Sequence, residues 1–342
     1  MDSLTQATLG AAVAHAGWHR PLGRWALPWG FVLGTLPDLD VLANPWLDAV
    51  ERLHWHRGPS HGIPGVLAMA LISAVVVWWI HRRGGLSWTR AWVTALAIMV
   101  THVAIDLFTV YGTQILAPFS DHGFGTNNLF IIDPLYTVPL LLGVFVALLV
   151  GGTWGVRANI AGLAVSTLYV GWSFGAQARA DAVFQRALAQ QGHAVERTLT
   201  SATPLNTVLW RGLAQVDGGF LVGYWSLLDE DESVRFDFVP QRLELVAEVR
   251  ETRAFEVVDW FSQGWWVADE RDGRVRVSDL RFGEIRSGAG QPPEEWAHVF
   301  AWRVGPDAAD PSGLEQLPQV FADRSAALGM VWKRLRGDRT GW

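Results

Sequence analysis

Apolar residues run almost unbroken through four stretches of the chain: 62–80 (GIPGVLAMALISAVVVWWI), 91–110 (AWVTALAIMVTHVAIDLFTV), 134–153 (PLYTVPLLLGVFVALLVGGT) and 158–176 (ANIAGLAVSTLYVGWSFGA). Each approaches the roughly 20 residues that a helix needs to cross a bilayer core. Two weaker stretches precede them: 4–17 is short, and 25–42 (RWALPWGFVLGTLPDLDV) is interrupted by prolines and aspartates. Both are predicted as helices packed against the other four, where broken or polar backbone can be satisfied by neighbouring protein. Beyond 178 the pattern changes. An Ala/Gln/Arg-rich stretch to about 200 reads as a helical connector, followed by alternating runs such as TVLWRGL, GGFLVGYWSLL, VRFDFV, GWWVADE, RVRVSDLRFG and AHVFAWRVG between Gly, Asp and Pro turns. The predicted fold class is a membrane α-helical bundle of about five to six helices followed by a small soluble, mainly-β (α+β) domain. Its predicted divisions are a membrane-embedded domain at 1–177, a connector at 178–200 and a β-rich domain at 201–342.

The charge distribution sharpens this division. Residues 1–180 hold nine Lys/Arg and eight Asp/Glu, leaving eighteen and twenty-five for the rest of the chain. A net charge of −6 gives no basic stripe of the kind nucleic-acid binding needs. The absence of cysteine excludes disulfides and thiolate ligands. The opening MDSLTQATLGAAVAHAG lacks the basic start and long apolar core of a cleavable signal, so insertion is expected to rely on the internal spans. Arg20 and Arg24, then Arg82, Arg83 and Arg90, then Arg157 fall in alternate short loops, which predicts a cytoplasmic side for those loops. The multi-pass chain would then place its N-terminus, residues 37–61 and 111–133 and the C-terminal domain outside. The terminal MVWKRLRGDRTGW reads as a basic amphipathic end, either a solvated helix or a lipid-touching one.

Against this apolar background a few polar groups stand out. Asp38 and Asp40 in LPDLD close an apolar segment; on a helix they point about 200° apart, and they can face one ion only if the helix ends near Pro37. His56, Arg57 and His61 surround a Gly58-Pro59 turn, with His54 a weaker member. His102 and Asp106, i and i+4 in the candidate helix 91–110, share one face. The outer loop 111–133 offers Tyr111, Asp121, His122, Asn127, Asn128 and Asp133, of which Asp133, just before Pro134, reads first as a helix cap. A lone polar residue in a bundle is ordinarily a structural hydrogen bonder, and His15, His19, His81 and the many tryptophans read as interfacial. Taken together, however, Asp38, Asp40, His56, His61, His102 and Asp106 bring O and N donors from separate segments to one face, the composition of a metal site.

The order LPDLD, HRGPSH and THVAIDLFTVYGTQILAPFS resembles the YdjM-type family of inner-membrane-associated, metal-dependent hydrolases, over residues 1 to about 140. Two positions depart from that pattern: Thr5-Gln6 stands where many relatives carry Thr-His, and Gly62 stands where a serine follows the second histidine. The resemblance implies Asp38, Asp40, His56, His61, His102 and Asp106 as metal-site residues. Its His-x-x-x-Asp motif is also similar to that of zinc-dependent phospholipase C and related nucleases, which implies phosphoester cleavage. The resulting expectation is a membrane-bound hydrolase with one or two divalent ions, zinc foremost. A non-ligating aspartate, Asp40 or Asp106, would be the general base, Arg57 would neutralise developing charge, and Ser60 and Thr101 would support the ligands. A phospholipid or polyprenyl phosphate would suit a site at the lipid boundary. The rival expectations are a metal sensor or transporter and a plain anchor for the C-terminal domain.

Overall fold

The computed structural model describes residues 1–271, 273–286, 291–306, 308–318 and 324–340. The chain divides into two compact units, one formed by 1–42 and 55–173, the other by 43–54 and 174–342.

The first unit is helical. Helix α1 (Ser3–Leu22) is capped by Asp2, whose side chain accepts from the Thr5 amide at 3.0 Å. It turns at Gly23, in the left-handed region (φ 56°), into α2 (Ala26–Thr35). The two helices meet through small residues: a Cβ on Gly10 would lie 2.3 Å from the Gly30 carbonyl oxygen, and one on Gly34 would lie 2.6 Å from that of Gln6. Such close approach is the familiar use of small residues between membrane helices. The predicted 25–42 helix is two elements: Leu36 keeps helical dihedrals (φ −60°, ψ −42°), but Pro37 has no amide hydrogen to continue the α-helical ladder, and a 3₁₀ segment, Pro37–Trp46, follows. Helix α3 (Ala49–Trp55) follows, and its stretch 43–54 joins the second unit, where Arg253 pairs with Asp48 at 2.8 Å and Trp260 stacks on His54.

Helices α4 (Ile63–His81) and α5 (Trp88–Leu107) are long and apolar enough to cross a membrane, with mean hydropathies of 2.3 (taken to Gly84) and 1.4. Helix α6 (Pro134–Val150) is equally apolar but shorter, about 25 Å long against a bilayer core of about 30 Å. The predicted fourth span and the connector as far as Gln190 form one continuous helix, α7 (Gly152–Gln190); the rest of the expected helical connector is instead a turn and the start of a strand at Arg197. Large apolar side chains face outward along α4, α6 and α7, among them Ile72, Trp79, Leu142, Phe145, Leu149 and Leu168, each more than half exposed. An apolar belt of this extent marks a surface made to be covered by lipid or by other protein.

The second unit holds, among its described residues, two antiparallel sheets. The first has the order β1 (Arg197–Ala202), β2 (Leu209–Val216), β3 (Gly219–Ser226), β4 (Phe236–Pro240). The second runs β5 (Trp266–Arg271), β6 (Arg274–Ile285), β7 (Ala297–Val304), β8 (Leu314–Gln316). An Asp217-Gly218 pair closes the β2–β3 hairpin, Gly218 taking the positive φ that such a turn requires. Alternation along β2 buries both faces: Trp210 packs with Phe184 of α7, whereas Leu213 packs with Val267 and Leu280 of the other sheet. Helix α8 (Arg253–Ser262) and strands β1 and β8 have no counterpart among the predicted runs. The basic C-terminal stretch forms α9 (Arg324–Leu335), whose Arg334 is buried against Asp229 at 2.7 Å; residues 341 and 342 lie outside the described residues.

Candidate metal centre

Four side chains of the first unit converge: Asp38, His61, His102 and Asp106 each bring one ligand atom to within 4.8 Å of the others. Asp38 comes from the 3₁₀ segment, His61 from the turn before α4, and the last two from one face of α5. His61 Nε2 lies 3.3 Å from Asp106 Oδ2, 3.5 Å from Asp38 Oδ1 and 3.3 Å from His102 Nε2. His102 Nε2 lies 3.6 Å from Asp38 Oδ1 and 3.7 Å from Asp106 Oδ2. A tetrahedron with metal–ligand bonds of about 2.0–2.2 Å has edges of about 3.3–3.6 Å.

Hydrogen bonding outside the cluster determines which atoms face inward. His102 donates through Nδ1 to the Gly34 carbonyl oxygen at 2.7 Å, leaving a lone pair on Nε2. His61 donates through Nδ1 to Ser60 Oγ at 2.9 Å, and Ser60 Oγ donates onward to Asp40 Oδ2 at 3.2 Å. Asp38 Oδ1 and Asp106 Oδ2 are buried without any hydrogen-bond partner. Two imidazole lone pairs and two carboxylate oxygens thus point at one another with no donor between them. Buried acceptors in that arrangement are costly unless a cation sits among them, so the residues fit a divalent ion. His₂Asp₂ is a nitrogen–oxygen set suited to zinc and its neighbours.

The second oxygen of Asp106 is committed elsewhere. Oδ1 accepts from Arg57 Nη2 at 3.0 Å and contacts the Met1 amino nitrogen. Arg57 is itself fixed: it occupies the left-handed region (φ 58°), donates from Nη1 to Thr109 Oγ1 at 3.2 Å and lies over the Tyr111 ring. Its guanidinium is 96% buried and serves as an internal counter-charge to Asp106.

Asp40 and His56 are not brought to the common point. In a 3₁₀ segment, with about three residues per turn, positions two apart face different sides, so Asp38 turns to the cluster and Asp40 turns away. Asp40 Oδ1 accepts from His56 Nδ1 at 3.1 Å, and Oδ2 accepts from the Arg57 amide at 2.9 Å. Burial pushes the Asp40 carboxyl up, but the His56 and Arg57 contacts outweigh it and hold the group below the ordinary carboxylate range. Asp38 is likewise lowered, its contacts with His102 and His61 exceeding the burial effect. His56 keeps about a quarter of its side chain exposed and meets Tyr111 edge-on. Thr101 turns back to the Ala97 and Ile98 carbonyl oxygens, away from the ligands. Asp133 caps α6, accepting from the Leu135 amide at 3.0 Å and from Tyr169 at 2.9 Å. Gln6 donates to the His102 carbonyl oxygen at 3.3 Å. His122 packs on Phe124, and Asn128 donates to Ser173. His54 stacks on Trp260 in the second unit. The Gly34 carbonyl and Thr109 carry no sequence signal, since a backbone acceptor has no residue type and Thr109 acts only through Arg57.

The model of the YdjM inner membrane protein family matches residues 1–180, the region that contains the whole cluster. The chain belongs to this family. It is also similar to the uncharacterised protein YfhP of Bacillus subtilis (strain 168), 26% identical over 151 residues, which cover 42% of this chain and 45% of that protein. The chain therefore matches less than half the length of that relative. No solved structure matches it. Family membership and the two long apolar helices together point to an inner membrane protein with a possible metal-binding group.

Proposed function

We propose that this YdjM family member is a multi-pass inner-membrane hydrolase that uses a divalent ion, zinc by preference, to cleave a phosphoester of an amphiphilic substrate. The carrying observation is the convergence of four donorless acceptor atoms from Asp38, His61, His102 and Asp106. Bound there, the ion would supply Lewis-acid polarisation of a substrate oxygen and activation of water near neutral pH.

The remaining roles fall to residues around the ligands. Asp40 accepts hydrogen bonds on both oxygens, so it orients rather than abstracts. His56, held by Asp40 and partly exposed, is the residue placed to take and return a proton. Arg57 balances Asp106 and anchors the turn that carries His61, a positioning role in place of direct contact with substrate. Asp38, with 21% of its side chain exposed, marks the side from which substrate enters. Arg20, Arg24 and Arg157 gather at the end of the bundle away from the cluster, which supports a cytoplasmic location for that end and an outer location for the metal face and the C-terminal unit.

A second reading has its own support: four protein ligands complete a tetrahedron, as in sites that only retain an ion. The two are separated by assaying detergent-purified, zinc-loaded protein against phosphomonoester, phosphodiester and acyl-ester lipids. Hydrolysis predicts turnover of a phosphoester lipid, abolished by a chelator and by His102→Ala, and reduced in His56→Ala although that variant keeps its metal. A fully loaded protein inert on all three classes contradicts it.

A further inference from the structure

The opposite end of the helical unit holds a cavity of about 870 Å³ between the α1–α2 turn and the α6–α7 turn. His19, on its wall, lies more than three turns along α1 from Gln6, about 20 Å, so the cavity is separate from the metal cluster. Its lining carries Arg20, Arg24, Arg157, His15 and His19, and no acidic residue. Among the described residues the three arginines have no carboxylate partner; Arg157 only stacks over Trp154. His15 is 4% exposed, and its Nδ1 is buried without a hydrogen-bond partner. His19 donates through Nδ1 to the His15 carbonyl oxygen, which leaves its other nitrogen for a ligand. The wall formed by the end of α6 is apolar and exposed, Leu149 at 66% and Val150 at 62%.

Cationic loops on one side of a membrane protein are expected from insertion alone. Insertion does not require that the charges of two separate turns line one cavity, nor that a buried histidine be left unsatisfied at its wall. Arginine is the side chain best matched to phosphate oxygens. An apolar wall beside the charges matches an acyl chain beside a headgroup, and basic pockets between membrane helices are known to take anionic headgroups.

We propose that this cavity is a phosphate-binding site, filled by the headgroup of an anionic phospholipid whose acyl chain lies along the end of α6. The claim is independent of any hydrolytic activity at the metal centre.

The test is native mass spectrometry of the full chain in a neutral detergent, titrated with phosphatidylglycerol or phosphatidylcholine, with inorganic phosphate as competitor. Wild type is expected to retain phosphatidylglycerol in preference to phosphatidylcholine. The combined Arg20→Gln, Arg24→Gln, Arg157→Gln variant is expected to bind it on the order of a hundredfold more weakly. These side chains are exposed, so the variant should fold. Arg82→Gln with Arg83→Gln, which removes charge from another loop without touching the cavity, should leave binding unchanged. Failure of inorganic phosphate to displace the lipid supports the headgroup as occupant; displacement supports the same site with soluble phosphate as its ligand. Equal retention of phosphatidylcholine, an unaltered triple variant, or an equal loss in the Arg82/Arg83 control overturns the proposal.

Discussion

Ser60 bonds to one candidate ligand, His61, and links it to Asp40. Its hydroxyl accepts from His61 Nδ1 and so keeps the Nε2 lone pair directed at the ion. Supporting groups of this kind are typically worth 10–100-fold in metal affinity. Ser60→Ala is therefore expected to weaken zinc binding by about that factor, measured by chelator competition, while the helical content stays unchanged; equal affinity would remove the relay from the account. The pairing of His102 with Asp106 was legible in the sequence because a spacing of four on a helix fixes a shared face. The division of labour between Asp38 and Asp40 was not. It depends on the backbone changing to a 3₁₀ segment at Pro37, and adjacent acidic positions look alike until that geometry is known. His56 was indistinguishable from a ligand for the same reason, since an imidazole bound to a carboxylate and one bound to a metal have the same spacing in a loop.

Among the elements, the α1–α2 contact has the most direct consequence for the site. Gly34 lets α2 approach α1 and also presents the carbonyl that holds His102. In Gly34→Val a Cβ would meet the Gln6 carbonyl oxygen at 2.6 Å. Overpacking of this kind costs about 1–3 kcal/mol. The variant should melt at a lower temperature and retain less metal, even though position 34 is no ligand; unchanged metal retention would separate helix packing from the site. The second unit makes a pH prediction of its own. Burial pushes the His298 imidazole on β7 down to about 4, against the attraction of Glu284 opposite it. The unfolded chain takes up that proton near pH 6.5, so the contribution of His298 is complete above 6.5 and falls away as pH drops towards 4. Because the ring is only partly shielded, the loss is on the order of 2 kcal/mol. Hydrogen exchange at β6 and β7, corrected for intrinsic rates, should show protection declining across that interval and a flatter profile in His298→Gln; identical profiles would contradict it. Six of the strands were readable from alternation and turn residues such as Asp217-Gly218. Strand β1 (RTLTSA) lacks that alternation, whereas α8 carries a legible signal, a Thr252 cap followed by Phe255, Val258 and Phe261 at helical spacing, set among strands.

For the whole molecule, the sequence separated an apolar helical part from a charged β-rich part because the two are built for different solvents. It could not reveal that residues 43–54 leave the first unit for the second, since that depends on contacts such as Asp48 with Arg253 across some two hundred positions. The fourth candidate span and the connector divide in the sequence where apolar composition gives way to polar near residue 177, but that change does not end the helix, since no proline or cap interrupts it there. What unites the first unit is a claim about charge: four buried acceptors from three segments need a cation to coexist. Elemental analysis of the detergent-purified full chain measures this directly, with His102→Ala beside the wild type. The account predicts a stoichiometric divalent ion, zinc foremost, in the wild type and its loss in the variant. A well-folded wild type without metal, or a variant that holds as much, would contradict it.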